Sequence, residues 1–440
     1  MTEKSIKYIF CAVALVFFSC NVIKAQDGTY SSYSPYSIFG VGDLARQGTA
    51  YNRSMGGTGI ALRNNRMINY LNPAAITARD TLSFMMDFGL SAEGRVYQSN
   101  GLKSANNLMN ISDIVITVPI YRKSAIVAGL TPFSATGYDF SHDIKDASLI
   151  GQTGNINYRS YGEGGLYQLF VGAAATFWKR LSVGGQFIYY FGNIDKSTVM
   201  DFSESSYRDV SSGYTLNLDA MGGKFGVQYE QPLSSGMALT LGATYRTSSR
   251  LKGYVTDYKY ASISSITDTL SHRIDTLSHG GKAKIASEYG FGISLKKGDK
   301  WRIEVDYTMS DWQNSSLGET PGFSNIGSAN FSTTYSQSVK AGFEFVPNIN
   351  DIRYYMRRCS YRAGVYYDRD YYKLGGNTVN SYGLTLGITF PVFRWYNGVS
   401  VGVDLGQRGS LGNKMVRERY AMIFIGFNIH DIWFQKPKYE

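Results

Sequence analysis

Trp301-Arg-Ile-Glu-Val-Asp-Tyr-Thr-Met-Ser310 changes character at every residue. In an extended chain Trp301, Ile303, Val305, Tyr307 and Met309 share one face, while Arg302, Glu304, Asp306, Thr308 and Ser310 share the other. A soluble sandwich strand rarely hides such charges, whereas a strand between lipid and a polar lumen must alternate in this way. The pattern recurs in Met237, Leu239, Leu241, Ala243 and Tyr245 against Thr240, Thr244 and Arg246. It recurs again in Val399, Val401, Val403 and Leu405 against Ser400, Asp404 and Arg408, and in Tyr382, Leu384, Leu386, Ile388 and Phe390. Between Leu82 and Ile429 there are about fourteen such runs. The connections between them alternate between short and long. Short ones fall near Arg122-Lys123, Lys179-Arg180, Pro232 to Gly236, Lys296 to Asp299 and Phe393 to Gly398. Long ones fall near 139–162, 196–212, 251–281, 314–331, 371–379 and 409–418. This asymmetry predicts an all-β protein, a transmembrane antiparallel β-barrel with short periplasmic turns and longer outer loops. An even strand count puts both chain ends in the periplasm, with one longer turn near Pro347 to Arg357. At Gly222-Gly223 the apolar phase passes from Leu216, Leu218 and Ala220 to Phe225, Val227 and Tyr229, which predicts a β-bulge or, failing that, a turn.

The chain begins with Lys4 and Lys7 ahead of an apolar run from Ile9 to Phe18, with a cleavage site read after Ala25 and before Gln26, and reads as a secretory signal peptide over 1–25. That run is too short to span a bilayer as a helix, and the rest of the chain has none longer. Phe17-Phe18-Ser19-Cys20 also reads as a degenerate lipoprotein box, a poor fit because of its Phe. Only Cys359 would remain in the mature chain, which excludes a disulfide framework and reads as a small strand residue. Tyr 35, Phe 24 and Gly 48 against Pro 9 describe many strands, tight turns and enough aromatic rings for interfacial girdles. The net charge of +10 falls to +8 without the leader, and the basic residues are scattered, so a nucleic-acid partner is not expected.

Residues 26–80 read as turns with a few apolar residues. A barrel of about fourteen strands is too wide for its own side chains to fill, so this segment is expected to plug the lumen. It contains Met55-Gly-Gly-Thr-Gly-Ile-Ala61 and then Asn72-Pro73-Ala74-Ala75, just ahead of the first strand. These residues resemble the hatch of the FadL-type long-chain fatty-acid transporter family. The resemblance implies a fourteen-stranded barrel over 81–430, an N-terminal hatch, and passage of hydrophobic molecules. It makes Gly56, Gly57, Gly59, Asn72, Pro73 and Ala74 the hatch and gating candidates.

Two features depart from that family. The expected lumen face bears Asp87, Glu93, Arg95, Asp219, Glu288, Arg302, Glu304, Asp306, Glu344, Arg362, Asp404 and Arg408, an ionic lining in place of a greasy one. Arg302, Glu304, Asp306, Asp404 and Arg408 are its ion-pair candidates. The chain also continues past its last strand as a tail over 431–440, read as a periplasmic anchor through Trp433 and Phe434 or as a partner-docking segment.

No catalytic constellation stands out. Gly56-Gly57-Thr58-Gly59 lacks the Lys-Ser/Thr of a phosphate loop. His430 has no marked nucleophile beside it. Glu304 and Asp306 share a face and could serve as acid and base, but the neighbouring Arg302 favours an ion pair. The repeat Asp268-Thr-Leu-Ser-His272 and Asp275-Thr-Leu-Ser-His279 offers metal-binding side chains, and reads more simply as a duplicated surface segment. No enzyme activity, cofactor or metal is expected. The leading expectation is an outer-membrane barrel for passive, hatch-gated uptake of small hydrophobic or amphipathic compounds, with membrane lipid and such a ligand as partners. The alternative is a non-transporting barrel subunit of an outer-membrane protein secretion or assembly complex, meeting its partners through the C-terminal tail or outer loops.

Overall fold

The computed structural model describes residues 32–79, 83–99, 101–120, 123–204, 206–263, 266–277, 282–323, 330–392, 397–413 and 415–432. The expected signal segment, residues 26–31, Arg122, His279, most of the connection at Phe393, and the tail from Trp433 lie outside these residues.

Fourteen strands form the wall: β1 (Ser83–Ser99), β2 (Leu102–Pro119), β3 (Ser124–Ala135), β4 (Ile156–Phe177), β5 (Leu181–Phe202), β6 (Asp209–Pro232), β7 (Met237–Arg246), β8 (Glu288–Lys297), β9 (Trp301–Asp311), β10 (Tyr335–Phe345), β11 (Ser360–Leu374), β12 (Asn377–Pro391), β13 (Gly398–Arg408) and β14 (Arg417–Ile432). Each pairs antiparallel with its neighbour, and β1 closes on β14 from Ser83↔Ile432 to Gln98↔Arg417. The last strand therefore runs two residues past the boundary expected at 430.

Alternation sorts the side chains by solvent. In β9, Glu304 is 0% exposed and Ile303 47%, the reverse of a soluble fold, because the apolar face meets lipid and the charged face meets the plugged interior. At the end of the barrel with long connections, β4, β5 and β6 rise furthest, joined by a hairpin of Lys252–Ile263 and Ile266–Thr276.

Two expectations are corrected here. The β5–β6 ladder runs through Gly222-Gly223 without a register shift, so neither a bulge nor a turn lies there. The inward face of β6 keeps its even positions throughout; Leu216, Leu218 and Ala220 are buried inside, while Phe225, Val227 and Tyr229 are exposed outside. The apolar phase changes because the inner face is the dry one in the far half, toward the long connections, and the outer face meets lipid in the near half, toward the short connections. Asp219 consequently points away from the lumen, flanked by exposed Met221.

One seam departs from a continuous wall. β2 pairs with β3 only from Ile114↔Leu130 to Pro119↔Ala125. Beyond Leu130, β3 turns its edge to a two-residue strand of the N-terminal segment, Asp43↔Ala135 and Leu44↔Ser134, and Ala45 N donates to Phe133 O at 2.9 Å. Pro132 sits on this edge, where it has no N–H to offer a neighbouring strand, and the β3–β4 register shifts beside it. The N-terminal segment thus takes a partner that β2 would otherwise hold, and a gap opens in the wall.

Candidate functional site in the plugged lumen

Residues 32–79 enter the barrel and contact its wall from nearly every side. A short helix, Ala50–Arg53, leads into a turn at Gly56 and Gly57, whose φ angles of 72° and 83° suit glycine. Gly56 N donates to Thr385 Oγ1 at 2.8 Å, and Thr385 Oγ1 donates to Ser54 O at 3.2 Å. Across from it, a Cβ on Gly364 of β11 would collide with the Gly56 backbone, so plug and wall meet backbone to backbone.

The next residues are held by charge. Asp306 accepts from Gly59 N at 2.7 Å and Ile60 N at 2.9 Å, and Glu304 accepts from Ala61 N at 3.1 Å. These two carboxylates, read as ion-pair candidates beside Arg302 in a lumen whose charges meet one another or the plug, hold three consecutive plug amides. Asn72 caps the 3-10 helix Pro73–Ala78 by accepting from Ala74 N at 3.0 Å, and its Nδ2 donates to Ile60 O at 2.7 Å. Asn72 and Pro73 press against Gly226 and Gly184 of the wall. The hatch candidates Gly56, Gly59, Asn72, Pro73 and Ala74 are therefore plug contacts, and Gly57 lies beside the Lys340 side chain.

Arg302 turns to a different set. It lies 3.5 Å from Glu344, and it donates to Tyr51 OH at 2.7 Å and Arg63 O at 2.9 Å. Tyr51 OH donates to Glu344 at 2.8 Å, and the Arg362 guanidinium lies 4.5 Å from the Tyr51 ring centre. Burial, with Glu344 beside it, lifts the Tyr51 phenol above its ordinary value and keeps it a donor. Nearer the far end, Arg46 of the plug meets Asp404 at 2.6 Å and stacks 3.6 Å from the Tyr366 ring centre. Arg408 meets Asp43 of the plug and Asp370 of β11, both at 2.8 Å, and Glu418 at 4.0 Å. Glu418 also accepts from Ser34 at 2.5 Å and pairs with Arg95 at 2.7 Å. The wall charges were legible as a lumen stripe; their plug partners Asp43, Arg46 and Tyr51 carry no periodic signal and were missed.

Asp306→Ala is expected to release the Gly59 and Ile60 amides, at about 1.5–3 kcal/mol for the pair. Hydrogen exchange should quicken at those amides, with β9 itself still protected; unchanged exchange would mean the contact is not what holds the plug.

Two cavities of several hundred Å³ lie on either side of the plug among the described residues. One, of about 610 Å³, lies toward the far end and is lined by Arg46, Asp306 and Lys340 from plug and wall, and by Met109, Ile111 and Leu130 from the seam between β2 and β3. It therefore reaches through the gap to the outer surface, where Met109 is 70% exposed. The other, of about 580 Å³, lies at the end with short connections. In the repeat at 268–279, Asp268 is bonded to Arg208 and Asp275 to Arg273 along an exposed strand. Cys359 is buried immediately before β11.

A family profile described as BamG matches residues 5–440. No curated protein matches the chain. Among solved structures, the Pseudomonas putida toluene transporter TodX matches at TM-score 0.57 and 14% identity over 90% of this chain and 100% of that one. The Ralstonia pickettii toluene transporter TbuX matches at 0.55 and 14% over 87% and 98%. A Pseudomonas aeruginosa FadL homologue matches at 0.55 and 10% over 90% and 100%. The chain thus has the FadL-type fold of an outer-membrane barrel, shared with these transporters.

Proposed function

The chain belongs to the BamG family, and we propose that it is a closed outer-membrane barrel acting as a non-transporting subunit of a protein secretion or assembly complex. The observation that carries this reading is the seal. Plug backbone is held by Asp306 and Glu304, plug side chains by Glu344, Asp404 and Arg408, and these wall groups are buried. Opening a path would expose or strand several buried charges at once, each costly to leave unpaired. A lumen lined in this way suits a rigid, filled scaffold better than a conduit for greasy molecules. Short connections face the periplasm in this reading, and the long-loop end faces outward.

A second reading, uptake of small amphipathic compounds, is favoured by the far cavity that reaches the wall gap at Met109 and Ile111. A ligand would enter from the loops and leave sideways, or would pass after movement of the Asn72-Pro73-Ala74 hatch.

Mass spectrometry of the protein gently extracted with its neighbours separates the two. Stoichiometric protein partners with an empty barrel are expected. A partner-free barrel retaining a lipophile would replace the subunit reading with uptake.

A further inference from the structure

The near cavity differs in charge from the rest of the interior. Its walls carry Arg63, Arg66, Arg79, Lys123, Lys179, Arg180, Lys296 and Arg302 against the carboxylates Glu230, Asp299 and Glu344. The acids are already engaged: Glu230 with Arg63 at 3.4 Å and Lys296 at 3.1 Å, Asp299 with Arg66 at 3.1 Å, and Glu344 with Arg302 and Arg362. Arg79, Lys123 and Lys179 have no carboxylate within ion-pair distance among the described residues. Arg79 donates from Nη1 to Thr117 Oγ1 at 2.8 Å, and its Nη2 is buried without an acceptor among those residues. Burial alone pulls this guanidinium down to about 10, with no acidic neighbour to offset it. The excess charge comes from the plug and from short connections that sequence places far apart, and the barrel gathers them around one mouth.

We propose that this basic basin is a docking site for an acidic polypeptide segment of a partner, with Arg79, Lys123 and Lys179 as its uncompensated cations. The inference rests on the subunit reading and names the surface through which a partner engages. Three considerations fix the occupant. The charge excess is positive and unneutralised, which selects an anionic partner and steers its approach. The basic groups are spread around a cavity of about 580 Å³, a spacing that suits carboxylates carried on successive residues better than one small anion. The basin opens at the ends of the strands, among the turns, where Lys123 and Lys179 are exposed and within reach of a protein partner.

The test uses the full mature chain in neutral-lipid nanodiscs and a fluorescent decaglutamate peptide. Saturable binding that weakens with added salt is expected. In the triple variant Arg79→Gln, Lys123→Gln, Lys179→Gln, binding should weaken about tenfold, roughly the sum of three ion pairs of ordinary strength. Heat-modifiable migration on gels checks that the variant barrel is folded, and a second variant, Lys123→Gln with Lys179→Gln, leaves the partly buried Arg79 in place. Equal binding by a folded variant would overturn the proposal. So would displacement of the peptide by inorganic phosphate at matched charge, which marks a small-anion site, or by phosphatidylglycerol vesicles, which marks a lipid site. Native partners that stay bound to the triple variant would sink this inference alone, whereas a native barrel with no partner would sink the subunit reading itself.

Discussion

Deleting Gln26 to Ala75 is expected to convert the closed barrel into an open pore in planar bilayers, with large, weakly selective conductance steps that the intact chain should lack. The physical basis is width. Fourteen strands enclose more space than their own inward side chains fill, and in the intact chain the difference is made up by the N-terminal segment, with Tyr51 and Met55 among its buried side chains. The deletion leaves Asp306, Glu304, Glu344 and Arg408 facing a wet lumen, where their charges are solvated, so the wall can still close from Ser83↔Ile432 onward. Conductance indistinguishable from that of the intact chain would mean that residues 26–75 are not the seal. The same deletion frees the β3 edge now paired with Asp43 and Leu44, so the seam with β2 is where the truncated wall should be least ordered.

Arg408→Ala is the single substitution with the largest expected effect on stability. It removes the cation shared by Asp43, Asp370 and Glu418. Glu418 retains Arg95 at 2.7 Å, but Asp43 has no other cation within ion-pair distance among the described residues. Truncating one partner of a buried ionic group costs about 3–5 kcal/mol, because the remaining charge is left without compensation. The readout is the temperature at which the folded gel band disappears. It should fall markedly for Arg408→Ala and less for Arg408→Lys, which keeps the charge but cannot reach two carboxylates with a planar fork. The deficit should shrink as pH is lowered, since a protonated carboxyl no longer needs a cation. An Arg408→Ala barrel as heat-resistant as the parent would show that the cluster contributes nothing net.

Most of the fold was legible in the sequence. A two-residue period with charges on one face has few solutions, and in Trp301 to Ser310 the inward charges and outward apolar residues are where alternation puts them. Strand number and a plug lying ahead of β1 follow from that period and from the width of a barrel it builds; the connections expected to be long at 196–212 and 371–379 are instead mostly strand, closed by 203–208 and by a turn at Gly375-Gly376, because the strands run on beyond the residues that alternate apolar against polar. In β6 the period was right and the solvent was wrong. At Gly222-Gly223 the apolar residues change parity because β6 leaves the bilayer and its dry side becomes the inner one. A sequence records which residues are apolar, but not which face is dry at each height.

What only the tertiary structure decided is who meets whom inside the lumen. Glu304 and Asp306 lie beside Arg302 in the chain, yet they bind Ala61, Gly59 and Ile60, while Arg302 turns to Glu344 and Tyr51. The basin at the near mouth likewise joins Arg79 of the plug to Lys123 and Lys179 of separate turns. Alternation is a local property of one strand, set by backbone geometry, and can be read from its own residues. Contacts between an irregular plug and a closed wall depend on how a segment without a period folds in a confined space, and no spacing in the chain encodes them.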